Sequence, residues 1–145
     1  MVNLIKKLIR ILIVEDSRFF MEGLAMIINK NPDMEVVGMA PTCVEALNLA
    51  LKEKPDLVLL DIILDGENGI DIIPDLINKT GAKVLIMTGI TDFELHEDAM
   101  LQGARGVVVK QNTSAVLLEA IKRVAGGEIW LSDSVRHRID VRQLI

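Results

Sequence analysis

The stretch Pro55-Asp56-Leu57-Val58-Leu59-Leu60-Asp61 decides the fold. Proline closes a helix that precedes it, and everything between the two aspartates is apolar, with no polar alternation. A short strand of that kind is buried on both faces, as in a parallel sheet covered by helices. The pattern repeats outward in both directions. Upstream, Ile9–Val14 is a β-branched run that ends in Glu15-Asp16, and Glu35–Met39 reads as a second strand. Downstream, Lys83–Met87 and Gly106–Val109 read as the fourth and fifth.

Amphipathic stretches lie between these runs. Ser17 can cap a first helix on which Phe20, Leu24, Ile27 and Ile28 share a face, and Asn31-Pro32-Asp33 ends it. Thr42 and Glu45 make a capping-box pattern for a second helix, with Val44, Leu47 and Leu51 expected on its buried side. Asp65-Gly66 is a turn. A third helix is expected over about Gly69–Lys79, with Pro74 near its start, and Gly81 ends it. Thr91 or Asp92 opens a fourth helix that runs to Gly103. Asn112 or Thr113 caps a fifth, striped by Leu117, Ala120, Ile121 and Val124 and stopped by Gly126-Gly127. The expected architecture is α/β: a five-stranded parallel sheet with helices on both faces, built from residues 1–127. Residues 128–145 read as a charge-rich tail or linker that adds little to the fold, with Trp130 anchoring it against the fifth helix.

The chain has 145 residues, half of them hydrophobic, which suits one domain. A net charge of -5 gives no general affinity for nucleic acid or anionic lipid. One cysteine, Cys43, excludes an internal disulfide framework and fits a reducing cytoplasm. Lys6, Lys7 and Arg10 ahead of an apolar run mimic a secretory signal. The run stops at Glu15 and Asp16 without a small-residue cleavage site, so a cytoplasmic protein is expected. His96 and His137 stand apart from acids and cysteine and suggest no zinc site; His96 is expected on a solvated helix face. No GxGxxG or phosphate-binding loop is present.

In an open parallel sheet, ligands bind beyond the carboxyl ends of the strands. Glu15-Asp16 follows the first strand, Asp61 the third, Thr88-Gly89 the fourth and Lys110 the fifth. Carboxylates gathered there repel one another and need a cation, for which a hard, oxygen-seeking ion such as Mg²⁺ is suited. Lys110 supplies a point charge for phosphate oxygens or for Asp61, Thr88 a hydroxyl, and Gly89 room for a ligand to approach the backbone. Metal, ammonium and hydroxyl together are what phosphoryl transfer requires, and a carboxylate can be its nucleophile, forming an aspartyl-phosphate.

Ile11-Leu-Ile-Val-Glu-Asp16, Pro55-Asp-Leu-Val-Leu-Leu-Asp61, Gly69, Val84-Leu-Ile-Met-Thr-Gly89, Gly103-Ala104 and Gly106-Val-Val-Val-Lys110 occur in order. Over about Ile9–Gly127 the sequence thereby resembles the receiver domain of two-component response regulators (CheY-like), which implies a flavodoxin-like, doubly wound fold. The resemblance implies roles for these positions. Asp61 is the phosphoacceptor, Asp16 binds Mg²⁺ directly, and Glu15 does so through water. The main-chain carbonyl of Ile63 completes the protein ligands, and Thr88 and Lys110 contact the phosphoryl oxygens. A histidine kinase is the implied donor, and the domain is a switch that assists its own phosphorylation and dephosphorylation, not an enzyme with a separate substrate. Homodimers through the first and fifth, or fourth and fifth, helices are implied as well.

Phe20-Met-Glu-Gly-Leu24 and Ile121-Lys-Arg-Val-Ala-Gly-Gly-Glu-Ile-Trp-Leu-Ser132 resemble the NarL/FixJ (LuxR-type) branch. Its members continue into a helix-turn-helix DNA-binding domain, for which the residues after Gly127 leave no room. Three positions depart from the family: Asp65 stands where Pro is usual, Val107 where Tyr or Phe is usual, and Gln111 follows Lys110 in place of Pro. The first two favour an alternative, a phosphorylation-independent interaction domain that keeps the acids as a relic. A metal-dependent nuclease is the remaining class, and Asp61-Ile62-Ile63 lacks the paired acids it would use. Ile63 and Ile90, two residues past Asp61 and Thr88, are expected to exclude hydrolytic water from a phosphorylated site.

Overall fold

The computed structural model describes residues 7–89 and 93–136. The main sheet is built from β1 (Ile9–Val14), β2 (Met34–Ala40), β3 (Leu57–Leu60), β6 (Lys83–Thr88), β7 (Gly106–Val109) and β8 (Trp130–Leu131). The strands lie in the order β2-β1-β3-β6-β7-β8, and every neighbouring pair is parallel. A short antiparallel hairpin, β4 (Ile63–Leu64) and β5 (Glu67–Asn68), follows β3 around the Asp65-Gly66 turn. The helices are α1 (Arg18–Asn29), α2 (Cys43–Glu53), α3 (Ile73–Thr80), α4 (Phe93–Leu101), α5 (Ser114–Ala125) and a single turn, α6 (Asp133–Arg136).

Strand residues alternate between two cores. Leu12, Val14, Val58, Leu60, Val84 and Ile86 face α2, α3 and α4. Ile11, Ile13, Leu57, Leu59, Leu85 and Met87 face α1 and α5. Apolar side chains thus leave water on both faces, at roughly 25 cal/mol per Å² of apolar surface buried. The expected α/β doubly wound architecture holds.

Caps fall where the sequence puts them. Ser17 accepts from the Phe20 N–H at 3.3 Å, Thr42 from Glu45 at 3.2 Å, and Thr113 from Val116 at 3.3 Å. Pro74 lies in the first turn of α3, preceded by a 3₁₀ turn over Gly69–Ile72. The expected opening of the fourth helix at Thr91 or Asp92 falls outside the described residues. So do Ile90 and the tail positions His137, Arg138 and Arg142.

Three expectations need correction. The buried face of α2 is Cys43, Ala46 and Ala50, with Leu47 partly buried, whereas Val44 (65% exposed) and Leu51 (45% exposed) face outward. Small side chains bring that helix close to the sheet. His96 is fully buried in α4, edge-on to the Phe93 ring at 5.9 Å. The sheet, finally, has six strands instead of five. Trp130 and Leu131 pair with Gly106 and Val107, the Trp130 and Ser132 N–H groups donate to the Arg105 and Val107 carbonyls at 3.0 Å each, and Leu131 and Val135 are buried in the core. Trp130 does sit by α5, with the Arg123 guanidinium 5.8 Å from its ring. Gly106 admits the sixth strand, since a Cβ there would lie 2.8 Å from the Trp130 carbonyl oxygen and 2.8 Å from Leu85.

Residues 130–136 are therefore part of the folded unit. Leu131→Ala is expected to lower stability by about 2–5 kcal/mol, the cost of a cavity at a fully packed leucine. Urea unfolding of the two proteins measures it. A change within about 0.5 kcal/mol would show that β8 is only laid against the sheet.

Candidate functional site at the sheet's carboxyl edge

The chain leaves β1 for β2 on one side and returns to β3 on the other. The crevice between β1 and β3 is thus the switch point of the sheet, where open α/β folds bind ligands. Two main-chain bonds fix the register there: Asp61 N–H donates to the Val14 carbonyl and Glu15 N–H to that of Ala40, each at 3.0 Å. The residues just past the strands, Glu15, Asp16 and Asp61, are thereby brought together, with ligand oxygens within 4.8 Å of one another. Glu15 and Asp61 are buried and Asp16 is exposed.

Lys110 reaches across from the end of β7. Its Nζ donates to Asp61 Oδ2 at 2.9 Å and lies 3.2 Å from both oxygens of Glu15. The other oxygen of Asp61, Oδ1, accepts from the Ile63 N–H at 3.2 Å. The Asp61 carboxylate is thus held from both sides. Thr88 is buried at the end of β6, next to β7, and the Lys110 N–H donates to its carbonyl at 3.0 Å. Gly89 is exposed beside the Lys110 stem, where a Cβ would stand 3.8 Å away. Ile63 keeps its side chain 56% exposed.

Burial, then the hydrogen bond and charge of Asp61, push the Glu15 carboxyl up to about 7, with Lys110 pulling the other way. Burial opposes the Lys110 ammonium, but Asp61 and Glu15 together outweigh it and raise its pKa. When all three acids are ionised, one ammonium leaves two negative charges. A divalent, oxygen-seeking cation fits that donor set and that balance. Glu15, Asp16 and Asp61 are the residues that would hold it.

Four further residues shape the site. The Phe20 ring centroid lies 4.6 Å from Lys110 Nζ, a cation–π contact that the sequence pattern did not announce. Glu67 accepts from the Cys43 N–H at 3.1 Å, tying the β4–β5 hairpin to the start of α2. Asn112, one of two candidate caps for α5, leaves that task to Thr113 and turns back to accept from the Val109 N–H at 3.0 Å. Gly69 is the closest constraint: a Cβ there would collide with the Asp61 carbonyl oxygen, and its N–H donates to the Ile62 carbonyl at 2.6 Å.

The model of the response regulator receiver domain matches residues 11–122. The chain belongs to that family. Relatives include the DNA-binding transcriptional activator DevR/DosR of Mycobacterium tuberculosis, 32% identical over 87% of this chain and 58% of its own length. The nitrate/nitrite response regulator NarL of Escherichia coli is 31% identical over 86% of this chain and 58% of its own length. The crystal structure of a LuxR-family two-component response regulator from Aurantimonas sp. SI85-9A1 superposes with a TM-score of 0.86 at 28% identity, covering 96% of this chain and all of that one. The chain spans about three fifths of the length of the curated relatives it matches. No helix among the described residues is long and apolar enough to cross a membrane.

The contact between Gly69 and the main chain of the receiver's central aspartate sets a further expectation. Gly69→Ala must push the loop away from Asp61, at a cost of about 1–3 kcal/mol, and move the Ile63 N–H that holds Asp61 Oδ1. Thermal melts with and without Mg²⁺ should show a less stable protein that gains less from the ion than wild type does. Equal stabilisation of both proteins would mean that the loop absorbs the methyl group without disturbing the acids.

Proposed function

We propose that the domain is a Mg²⁺-dependent phosphoryl acceptor of a two-component system, with Asp61 as its nucleophile and a histidine kinase as its donor. One observation carries the reading: a buried aspartate at the switch point, oriented by an ammonium at 2.9 Å and a peptide N–H at 3.2 Å, beside two further carboxylates.

An Asp61 carboxylate oxygen attacks phosphorus in line through a remaining lone pair. The O–P bond forms as the bond from phosphorus to the donor's imidazole nitrogen breaks, and the imidazole keeps that electron pair. Bound Mg²⁺, held by Asp16, Asp61, the Ile63 carbonyl and, through water, Glu15, would neutralise charge on the transferring group. Lys110 holds Asp61 before transfer and then follows the new phosphoryl oxygens. Thr88, next to it across β6 and β7, supplies a hydroxyl to the same group, and Gly89 leaves that side open. The domain promotes its own phosphorylation and its own hydrolysis and turns over no separate substrate.

The names of the relatives support an output in transcription, through a DNA-binding domain beyond this chain's receiver. The net charge of -5 argues against direct nucleic-acid contact by the receiver itself. A cytoplasmic site of action fits the single cysteine, Cys43. Phe19 (90% exposed) and Met26 on α1 offer an apolar face to a second copy.

Acetyl phosphate with Mg²⁺ should add one phosphoryl mass to the protein, and chelation or Asp61→Asn should abolish it. An adduct kept at normal yield by Asp61→Asn would move the acceptor elsewhere. A protein that never takes up the group would favour the phosphorylation-independent alternative.

Ile63 bears on how long the signal lasts. Its side chain cannot hydrogen-bond a water in line with phosphorus, so the phosphorylated state should be long-lived. Ile63→Asn should speed phosphate release by about three- to tenfold, a barrier change of about 1 kcal/mol, once the donor is removed. Equal release rates in variant and parent would show that Ile63 does not govern access of water.

A further inference from the structure

Lys110 donates its own N–H to the Thr88 carbonyl, and the turn that follows it is closed by Asn112. Lys110 and Gln111 bridge β7 and α5, and no proline follows Lys110 to fix the backbone. Asn112 closes the turn twice on the same partner. Its main-chain N–H donates to the Val109 carbonyl at 2.9 Å, and its Oδ1 accepts from the Val109 N–H at 3.0 Å. Val109 is the residue immediately before Lys110, and Asn112 thus holds both its main-chain N–H and its carbonyl.

A carbonyl-type oxygen can accept two hydrogen bonds. The second at Asn112 Oδ1 comes from the Ser132 hydroxyl at 2.8 Å. Ser132 is buried and is itself anchored. Its N–H donates to the Val107 carbonyl at 3.0 Å, and its own carbonyl accepts from Val135 and Arg136 at 2.9 Å each. A continuous set of hydrogen bonds therefore runs from α6 and β8, through Ser132 and Asn112, to the peptide beside Lys110. The lysine stem has four rotatable carbons, so its ammonium stays on Asp61 only if its root is held. A shift of the turn would also carry it off the Phe20 ring.

We propose that Asn112 is a positioning residue for Lys110, and that Ser132 holds Asn112, so that the sixth strand supports the phosphoryl-accepting site. This rests on the reading of Asp61 as acceptor. Coupling is reciprocal: what loosens β8 slackens Lys110, and what draws Lys110 toward a phosphoryl group pulls on β8 and α6.

The test compares wild type, Asn112→Ala, Asn112→Asp, Ser132→Ala, Lys110→Ala and the Lys110→Ala/Asn112→Ala double variant. Uptake from acetyl phosphate with Mg²⁺ is followed by intact mass over a range of donor concentrations, and circular dichroism confirms folding. Asn112→Ala should lower the maximal rate about tenfold with the half-saturating donor concentration unchanged. Asn112→Asp, which keeps the acceptor oxygen, should stay within about threefold of wild type, and Ser132→Ala should fall between the two. Adding Asn112→Ala to Lys110→Ala should cost nothing more. Full activity of Asn112→Ala, or an equal loss with and without Lys110, overturns the proposal. If Asn112→Ala fails to fold, Ser132→Ala decides, and wild-type rates there count against it. The Lys110 ammonium signal in nitrogen NMR without donor gives a separate reading. It should survive in Asn112→Asp and broaden in Asn112→Ala, and an unchanged signal in both overturns the positioning role. A wild type that takes up no phosphoryl group overturns the reading of Asp61 instead, with the NMR result still deciding whether Asn112 places Lys110.

Discussion

The ammonium of Lys110, 2.9 Å from Asp61 and 3.2 Å from Glu15, is the interaction on which the site depends. Without a counter-charge, two buried carboxylates at the end of neighbouring strands would repel each other inside a low-dielectric edge, where burying a charge is costly unless it is paired. The fold meets that need from far along the chain. The lysine comes from β7, two strands away from β3 in the sheet. Two neighbours limit its freedom: Phe20 from α1 faces the ammonium and Asn112 holds the turn at its root, whereas Gly89 leaves the side of the stem open. The one ammonium leaves the ionised cluster net negative, a balance that suits a divalent cation.

How much of this could be read from the sequence follows from which signals are local. The apolar runs ending in acids and a lysine were legible because a buried parallel strand has no alternation, and because the sheet's polarity puts each run's last residue on the same edge. The end stripe of α5 was legible too, since Leu117, Ala120, Ile121 and Val124 are both large or helical-period residues and buried. The face of α2 was not. Ala46 and Ala50 carry little hydrophobic weight, so Val44 and Leu51 dominate the pattern although they point to water. His96 was misread for a similar reason: nothing in its neighbours along the chain announces that α4 packs it inward against Phe93. Two residues of β8 cannot register as a strand by period alone, and their pairing depends on Gly106, far away in sequence, having no side chain.

The departures from the family pattern now have a physical setting. Val107 is fully buried in the middle of β7 and pairs with Leu131 of β8. A branched aliphatic residue there has no aromatic ring to swing between the interior and the surface. Asp65 lies at an exposed hairpin turn. That hairpin is tied at its other strand to α2 through Glu67, so the loop beyond Asp61 is tethered to the fold without a proline.

The order of the strands along the chain has a consequence for synthesis. Glu15, Asp16 and Asp61 leave the ribosome well before Lys110, and β8 comes last of all. Domains are made from the amino terminus onward, and parallel pairings between distant segments close slowly. Until Lys110 is made, the acids lack the ammonium that balances them in the finished domain, and cations from the surrounding solution can take its place. The same cation that the finished site is suited to hold is thus also a counter-charge for the half-made domain.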